Sequence, residues 1–511
     1  MKFIGKLVHK TANIQYKRSF KKELSYRLQI ETLNALLKKA RKTDFGKFHN
    51  FKKISEQPGM VSAFQEKVPI VTYYQFYEQW LNNTLQGKKS IIWPGKMRFF
   101  ALSSGTTGAP SKQIPISKQM IRSFQKTSIK QIATLCQLPL EDEFYQKQVL
   151  VIGGSTLLED KDIYYQGDLS GILKKHTKKV ASPFTRPGKK ITDLKEWNKK
   201  LELIIKEAPK WDIGIIAGIP SWCVLLLEEI VKHYKLSTIH ELWPNLKVYI
   251  HGGVFIEPYS RRLNQICEKP LYLFDTYLAS EGYFGYQHYL NNKSMQLLLN
   301  NGIFFEFIPF NSTYFDEEGI IKDEHYALTL EEVQEDVNYA MIISTNAGLW
   351  RYLLGDTIQF TNVKQREIKI TGRTKQYLSV TGEHLSLENM HEALRLTGEE
   401  LACCVEEFTV CSDKQTYQHQ WYISLDKGIY NELFQKTLDG YLAELNDDYK
   451  SVRKYTLPVP NVSFVSSKLF YDFMEKSGKL GAQNKFPRVM NENQQLLWKA
   501  FLETQSTIKM C

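Results

Sequence analysis

The chain has 511 residues, 43% of them hydrophobic and 24% charged, with a formal net charge of +12. That is a globular composition with ample material for a large core, and the length suggests about two to four domains. The basic excess favours anionic partners, but its clusters (Lys174-Lys175 with Lys178-Lys179, and Lys199-Lys200) are short, and neither zinc-finger spacing nor a long arginine-rich arm supports nucleic-acid binding.

Residues 1–23 are basic with scattered apolar positions, and Lys6, His9 and Lys10 interrupt any secretory core. A helix packing on its own domain is expected there, with a weak amphipathic membrane contact as the alternative. No run of 18 apolar residues occurs, so no transmembrane helix and no stable membrane insertion are expected. Residues 24–42 have helical periodicity.

From about residue 90, short apolar strands alternate with helical stretches. Strands are expected at 148–154, 212–218, 246–253, 271–278, 303–310 and 340–346, and helices at 220–234 and 258–269. This rhythm implies an α/β fold with mixed or parallel sheets. Several strands end in Gly-Gly or Ser/Thr, and open α/β sheets bind ligands at the carboxyl ends of their strands.

The texture shifts near 360–385, where strand, turn at 372–375, strand and helix are expected in turn. A boundary at 374/375 divides the chain into 1–374 and 375–511. In the second part, strands are expected at 405–411 and 419–425, a helix near 429–445, and a basic end segment. The seven cysteines are irregularly spaced, with no C-x-x-C pair. Reduced, mostly buried thiols in a cytoplasmic protein fit better than a disulfide framework or a metal site.

Five stretches carry chemistry. In Ser103-Ser104-Gly105-Thr106-Thr107-Gly108, followed by Lys112, the glycines allow close backbone approach and the hydroxyls and ammonium can donate to phosphate oxygens. A surface turn has the same composition, and Pro110 breaks the Walker pattern. In 274–287 a strand runs into Ala279-Ser280-Glu281-Gly282; Tyr277 could stack on a base and Glu281 could hold Mg²⁺, against the alternative of a solvated strand end. Gly355-Asp356 reads as a tight turn whose carboxylate could accept ribose hydroxyls, or as an ordinary hairpin turn. Arg373 and Lys375 sit at the boundary, and Lys485 and Arg488 lie in a Gly/Pro loop; alone, each reads as solvated loop charge. The absence of H-E-x-x-H, G-x-S-x-G and G-x-G-x-x-G removes support for a zincin, an α/β-hydrolase and a standard dinucleotide fold.

Taken together and in order, Ser-Ser-Gly-Thr-Thr-Gly-Ala-Pro-Ser-Lys (103–112), Tyr-x-x-Ser-Glu (277–281), Trp-Arg-Tyr-x-x-Gly-Asp (350–356), Gly-Arg-Thr-Lys (372–375) and Gly-Ala-Gln-Asn-Lys-Phe-Pro-Arg (481–488) resemble the acyl-acid amido synthetases of the auxin-responsive Gretchen Hagen family. These are members of the adenylate-forming superfamily, with acyl-CoA synthetases, peptide-synthetase adenylation domains and luciferase. The first motif is shared across the superfamily; the ending Lys-x-Pro-Arg points to the amido synthetases. Thr107 stands where the plant proteins usually carry Ser and keeps the hydroxyl; Trp350 and Leu353 stand where plant sequences often have Tyr and Arg, and the cation lost at 353 counts against the plant hormone substrates.

The resemblance implies a large N-terminal domain of mixed β-sheets flanked by helices, which binds ATP and the acyl acid, and a small mobile α+β C-terminal domain. It implies a carboxylic acid, ATP and Mg²⁺ giving an acyl-adenylate, which an amino acid or other amine then attacks. It assigns phosphate to Ser103, Ser104, Thr106, Thr107 and Lys112, adenine to Tyr277, phosphate and Mg²⁺ to Ser280 and Glu281, ribose to Asp356, ribose or the hinge to Arg373, and charge stabilisation to Lys485. Catalysis would rest on Lys485 and Glu281. Rival readings are a ligase with a coenzyme A or carrier-thiol acceptor, and a non-catalytic nucleotide-binding scaffold; a nucleic-acid binder ranks behind both.

Overall fold

The structure is a computed structural model that describes residues 2–20, 25–103, 112–176, 182–254, 256–290, 292–316, 319–374, 378, 385–413, 416, 418–454, 457–478 and 485–508. An eleven-stranded sheet forms its frame. From one edge the order is Ile303–Pro309, Asn338–Thr345, Tyr352–Asn362, Glu367–Arg373, Met295–Leu297, Gly282–Gln287, Tyr272–Ala279, Val248–Gly252, Ile213–Ala217, Gln148–Val151 and Thr185–Arg186. From Tyr272–Ala279 to Thr185–Arg186 neighbouring strands are parallel; the rest pair antiparallel.

The two halves follow from their connections. Parallel neighbours need crossovers, and the helices Trp197–Glu207, Pro220–Tyr234 and Glu257–Ile266 supply them. With layers on both faces, a parallel strand such as Ile213–Ala217 is an apolar run rather than an alternation. Pro220 sits in the first turn of its helix, where a missing N–H costs nothing, and Trp222, Cys223, Leu226, Leu227 and Ile230 bury the inner face.

A second sheet orders Lys112–Ile116, Phe99–Ser103, Tyr165–Gly167 and Glu159–Asp160. A third orders Asn461–Phe464, Gln418–Leu425, Val405–Asp413 and Val489–Met490. Helices Leu387–Glu400 and Asn431–Leu445 pack on the third sheet through Met390, Leu394, Phe408, Trp421, Phe434 and Leu438. Cys411 and Tyr422 of that sheet, with Phe470, Phe486 and Trp498, join Trp222 and Tyr259 in one apolar cluster that docks the third sheet against the crossover helices.

The expected strands and helices occur, with small shifts at their ends. The N-terminal helix Lys2–Phe20 packs on the protein itself: His9 stacks on Tyr145 and its Nδ1 lies 2.7 Å from Asp142 Oδ1. Two expectations are corrected. Gly355-Asp356 is not a turn between strands but lies inside Tyr352–Asn362. Arg373 closes a strand rather than occupying a turn. The end segment is the helix Glu492–Ile508, anchored by buried Trp498 and Phe501. The strand expected after 375 falls mostly outside the described residues; Leu378 and Leu385 form a single bridge.

One buried ion pair fixes the early helices to the sheet. Arg351, fully buried with φ of 40°, donates from Nε to both Glu306 oxygens at 3.1 and 3.2 Å. Its other donors reach the carbonyls of Val68, Gln65 and His325 at 2.7, 2.8 and 3.0 Å. Glu306→Ala would leave this cation buried without its counter-charge and is expected to cost about 3–5 kcal/mol. Denaturant unfolding measures it; a loss below about 1 kcal/mol would contradict that role.

Candidate active site

A cleft of about 2240 Å³ runs along the carboxyl ends of the parallel strands and is closed on one side by residues after 385. It collects Ser103, Lys112, Tyr277, Ser280, Glu281, Asp356, Arg373 and Lys485, drawn from all five motif stretches. Ser104, Thr106 and Thr107 lie outside the described residues. The stubs of their loop are placed: Ser103 ends one strand, Lys112 begins the next, and the two are paired in register.

Local geometry explains why the carboxylates project here. Ser280 and Glu281 form the two-residue loop between Tyr272–Ala279 and Gly282–Gln287, which pair at Ala279 and Gly282. Asp356 is presented by an irregularity. Ala340 pairs with Thr357 but Ile342 pairs with Leu353, so Leu354, Gly355 and Asp356 bulge out opposite a single residue. Gly355 takes φ of +89°, which a side chain would resist. Bulges re-aim side chains beside sites in this way.

Asp356 is doubly held. Tyr277 donates its hydroxyl to Oδ2 at 2.8 Å, and Arg373 donates Nε to Oδ1 at 2.7 Å. A carboxylate offers about four lone-pair sites, so acceptor capacity remains for ligand hydroxyls. Tyr277 itself is only 3% exposed, packed edge-on against Phe284. Its hydrogen-bonding contribution is therefore to orient Asp356, rather than to offer a wide-open ring face. Glu281 is buried, and burial raises its carboxyl pKa, with Lys112 pulling it back down. Among the described residues no side chain hydrogen-bonds to its carboxylate, and none forms a cluster of three metal-ligating groups. A single carboxylate with no side-chain hydrogen bond among the described residues would fit a Mg²⁺ that phosphates and water also help to hold.

Lys485 arrives from the far side. Its ammonium donates to the Gly253 carbonyl, and a β-carbon on Gly253 (φ +85°) would sit 3.1 Å from that nitrogen. The side chain stays open to the cleft, yet the surrounding protein, and secondarily the Arg373 cation, push its pKa down to about 8. Arg488, three residues on, is not a solvated loop charge. Its guanidinium is 12% exposed, pairs with Glu407, bonds the Phe408 carbonyl at 2.8 Å and lies 4.9 Å over the Phe408 ring. Tyr259, on a crossover helix, donates to Glu407 at 2.9 Å and so ties this loop to the larger part.

Sequence reasoning missed His251 and the receiving role of Gly253, although the Gly-Gly strand end marked the place. His251 lines the cleft; its Nδ1 makes no hydrogen bond, the nearest carboxylate oxygen, Asp275 Oδ1, being 3.5 Å away. Burial prevails over that neighbour and lowers its pKa to about 4. Glu407 and Tyr259 carried no motif and became visible only through their contacts.

Family descriptions match most of the chain: the GH3 family N-terminal domain at residues 21–156 and 140–271, its central domain at 296–373 and its C-terminal domain at 388–494. The chain belongs to the GH3 family. This GH3 chain is 30% identical over 165 residues to the indole-3-acetic acid-amido synthetase GH3.2 of Arabidopsis thaliana, an alignment spanning 28% of each chain. It is 31% identical over 132 residues to the jasmonoyl–L-amino acid synthetase GH3.5 of Oryza sativa subsp. japonica, spanning 24% of this chain and 22% of the relative. The alignments thus cover under a third of the length of these curated relatives. The fold of the GH3.15 acyl acid amido synthetase superposes with a TM-score of 0.76 at 17% identity, covering 98% of this chain and 96% of that one. A 2-hydroxyisobutyryl-CoA ligase in the postadenylation state shares the fold at a TM-score of 0.60 and 12% identity, covering 94% and 91%.

The buried imidazole has a measurable consequence. Since the folded pKa of His251 lies below its unfolded value, the unfolded chain binds the proton first, and stability falls as pH drops from about 6.5 towards 4. His251→Gln is expected to remove about 1–2 kcal/mol of the loss between pH 7 and pH 5, measured by denaturant unfolding. An unchanged loss would show that His251 is protonated in the folded state.

Proposed function

We propose that the chain is an ATP-dependent acyl-acid amido synthetase. A carboxylate oxygen of the acyl acid attacks the α-phosphorus of ATP, the bond to the β-phosphate oxygen breaks, and pyrophosphate leaves. An amine, such as that of an amino acid, then attacks the acyl carbonyl; the carbon–oxygen bond to AMP breaks and the nitrogen gives up its proton. The observation that carries this reading is the convergence of Lys485, Glu281, Asp356, Ser103 and Lys112 on one cleft.

The chemistry needs such a set. A carboxylate and a triphosphate repel each other, so adenylation requires cations and dipoles where charge develops. On this reading Lys485 stabilises the α-phosphate and the incoming carboxylate, and Lys112 with Ser103, Ser104, Thr106 and Thr107 holds the phosphates. Asp356, oriented by Tyr277 and Arg373, accepts from the ribose hydroxyls, with Tyr277 beside the adenine. Ser280 and Glu281 serve phosphate and Mg²⁺, which when bound would offset phosphate charge. The division at 374/375 makes residues 375–511 the part that delivers Lys485. Among the described residues no helix is long and apolar enough to cross a membrane. A cytoplasmic location suits an ATP-consuming enzyme whose described cysteines are all unpaired.

Lys485→Ala is expected to slow ATP–pyrophosphate exchange by about 10²–10³-fold, the scale for one transition-state donor; an unchanged rate refutes the role. In the parent enzyme kcat/KM should fall as pH rises through about 8, because the ammonium is lost there, and a flat profile to pH 9 would contradict this. Asp356→Ala should weaken ATP binding by about 1–3 kcal/mol in calorimetry, and unaltered affinity would remove Asp356 from the ribose site. Product assays with amino acids and coenzyme A side by side test the acceptor: amide is expected, and thioester alone would overturn the amide assignment.

A further inference from the structure

The cleft is electrically lopsided. Its acidic lining residues (Asp275, Glu281, Asp356, Glu392 and Glu407) all belong to the Tyr272–Ala279 strand or to later parts of the chain. The opposite end lies between helices Lys118–Thr134 and Leu169–Lys175, which contain no Asp or Glu. There Arg122, Lys126 and Lys174 face the cavity. Between the two ends the walls are mixed: Phe124, Ile129, Leu173, Val151 and Ile152 give apolar surface, and Gln125, Ser128, Gln131 and Ser170 of the same two helices give polar surface. Ile129 is 58% exposed, an apolar side chain left open towards the cavity.

Lys174 is the notable cation. It is half-buried, its ammonium donates to Thr185 Oγ1 at 2.8 Å, and among the described residues no carboxylate pairs with it. Burial, with Arg186 nearby, lowers its pKa. A partly desolvated cation without a counter-charge is costly in an empty site and becomes favourable when an anion arrives.

Resting on the acyl-adenylation reading above, we propose that the acyl acid taken by this cleft carries a second anionic group, such as a carboxylate, at the end of its chain distal to the activated carboxyl, and that this group seats against Lys174. Three strand-to-strand steps separate Val248–Gly252, whose end meets Lys485 at Gly253, from Thr185–Arg186, roughly 14 Å at about 4.8 Å per step. An acceptor amino acid cannot bridge that gap, since its carboxylate lies one carbon from the attacking amine. The distal anion therefore belongs to the acyl acid. The apolar part of the walls between, from Phe124, Ile129, Leu173, Val151 and Ile152, matches a hydrocarbon or aromatic middle.

ATP–pyrophosphate exchange needs no acceptor and so isolates the acid. The full chain is assayed with straight-chain α,ω-diacids of about 10–14 carbons, lengths suited to a span of roughly 14 Å, and with the monoacids of equal length. The parent should favour the diacid by tenfold or more in kcat/KM. Lys174→Met should raise KM for the diacid about tenfold while leaving the monoacid and ATP values unchanged, and Lys174→Arg should restore the preference. A parent that prefers monoacids at every length overturns the proposal. So does a Lys174→Met variant that is folded by thermal melting and affects both acids equally, or that shifts KM for ATP, which would assign the cation to phosphate. Exchange with neither class counts against the adenylation reading itself, whereas exchange with monoacids alone refutes only the distal anion.

Discussion

Lys485 reaches the cleft because Arg488, three residues further on, is locked. The Arg488 guanidinium pairs with Glu407, and Tyr259 of a crossover helix donates to the same carboxylate. This buried clamp joins the third sheet to the larger part of the molecule and sets the Lys485 ammonium against the Gly253 carbonyl. Buried charges of this kind are stable only when fully partnered. The clamp therefore favours one docking geometry over neighbouring ones: a shift that separated Tyr259 from Glu407 would strip the carboxylate of a donor in an apolar setting. The cluster around Trp222, Phe486 and Trp498 supplies the non-directional attraction, and the clamp supplies the register.

The same cleft depends on a change of character within the main sheet. Its parallel half ends in a row of glycine-rich and polar strand termini, whereas its antiparallel half brings back Asp356 and Arg373 on adjacent strands, directly paired in register. The bulge at Leu354–Asp356 is what turns the carboxylate into the cleft. Tyr277 and Arg373 then hold it from two sides, so a ligand's hydroxyls would meet an acceptor already oriented, and less ordering entropy is lost on binding. The price of that pre-organisation is the desolvation of Glu281 and Asp356 near one another, which the cations of Lys112, Arg373 and Lys485 offset.

Much of this was legible in the residues. The apolar runs at 213–217, 248–252 and 303–309 form strands because β-branched and aromatic residues bounded by turn formers have no better option. The motif stretches announced their chemistry by composition alone, since Ser-Ser-Gly-Thr-Thr-Gly has nothing to bury. What escaped was non-local. Gly355-Asp356 has the composition of a hairpin turn, and only pairing with both neighbouring strands makes it a bulge inside one. Arg488 looks like a loop cation until Glu407 and Tyr259, far away in sequence, surround it. The end segment hid a buried Trp498 among polar residues because its partners come from three other elements.

The central claim is that groups from distant stretches act on a single nucleotide-linked acyl group. The most direct measurement is a crystal structure of the full chain with a non-hydrolysable acyl-adenylate analogue. The expected result has the ribose hydroxyls within hydrogen-bond distance of Asp356, the phosphate-equivalent group beside Lys485, and the acyl chain running towards Lys174. An analogue bound elsewhere, or bound here with Asp356 and Lys485 both out of contact, would contradict the account.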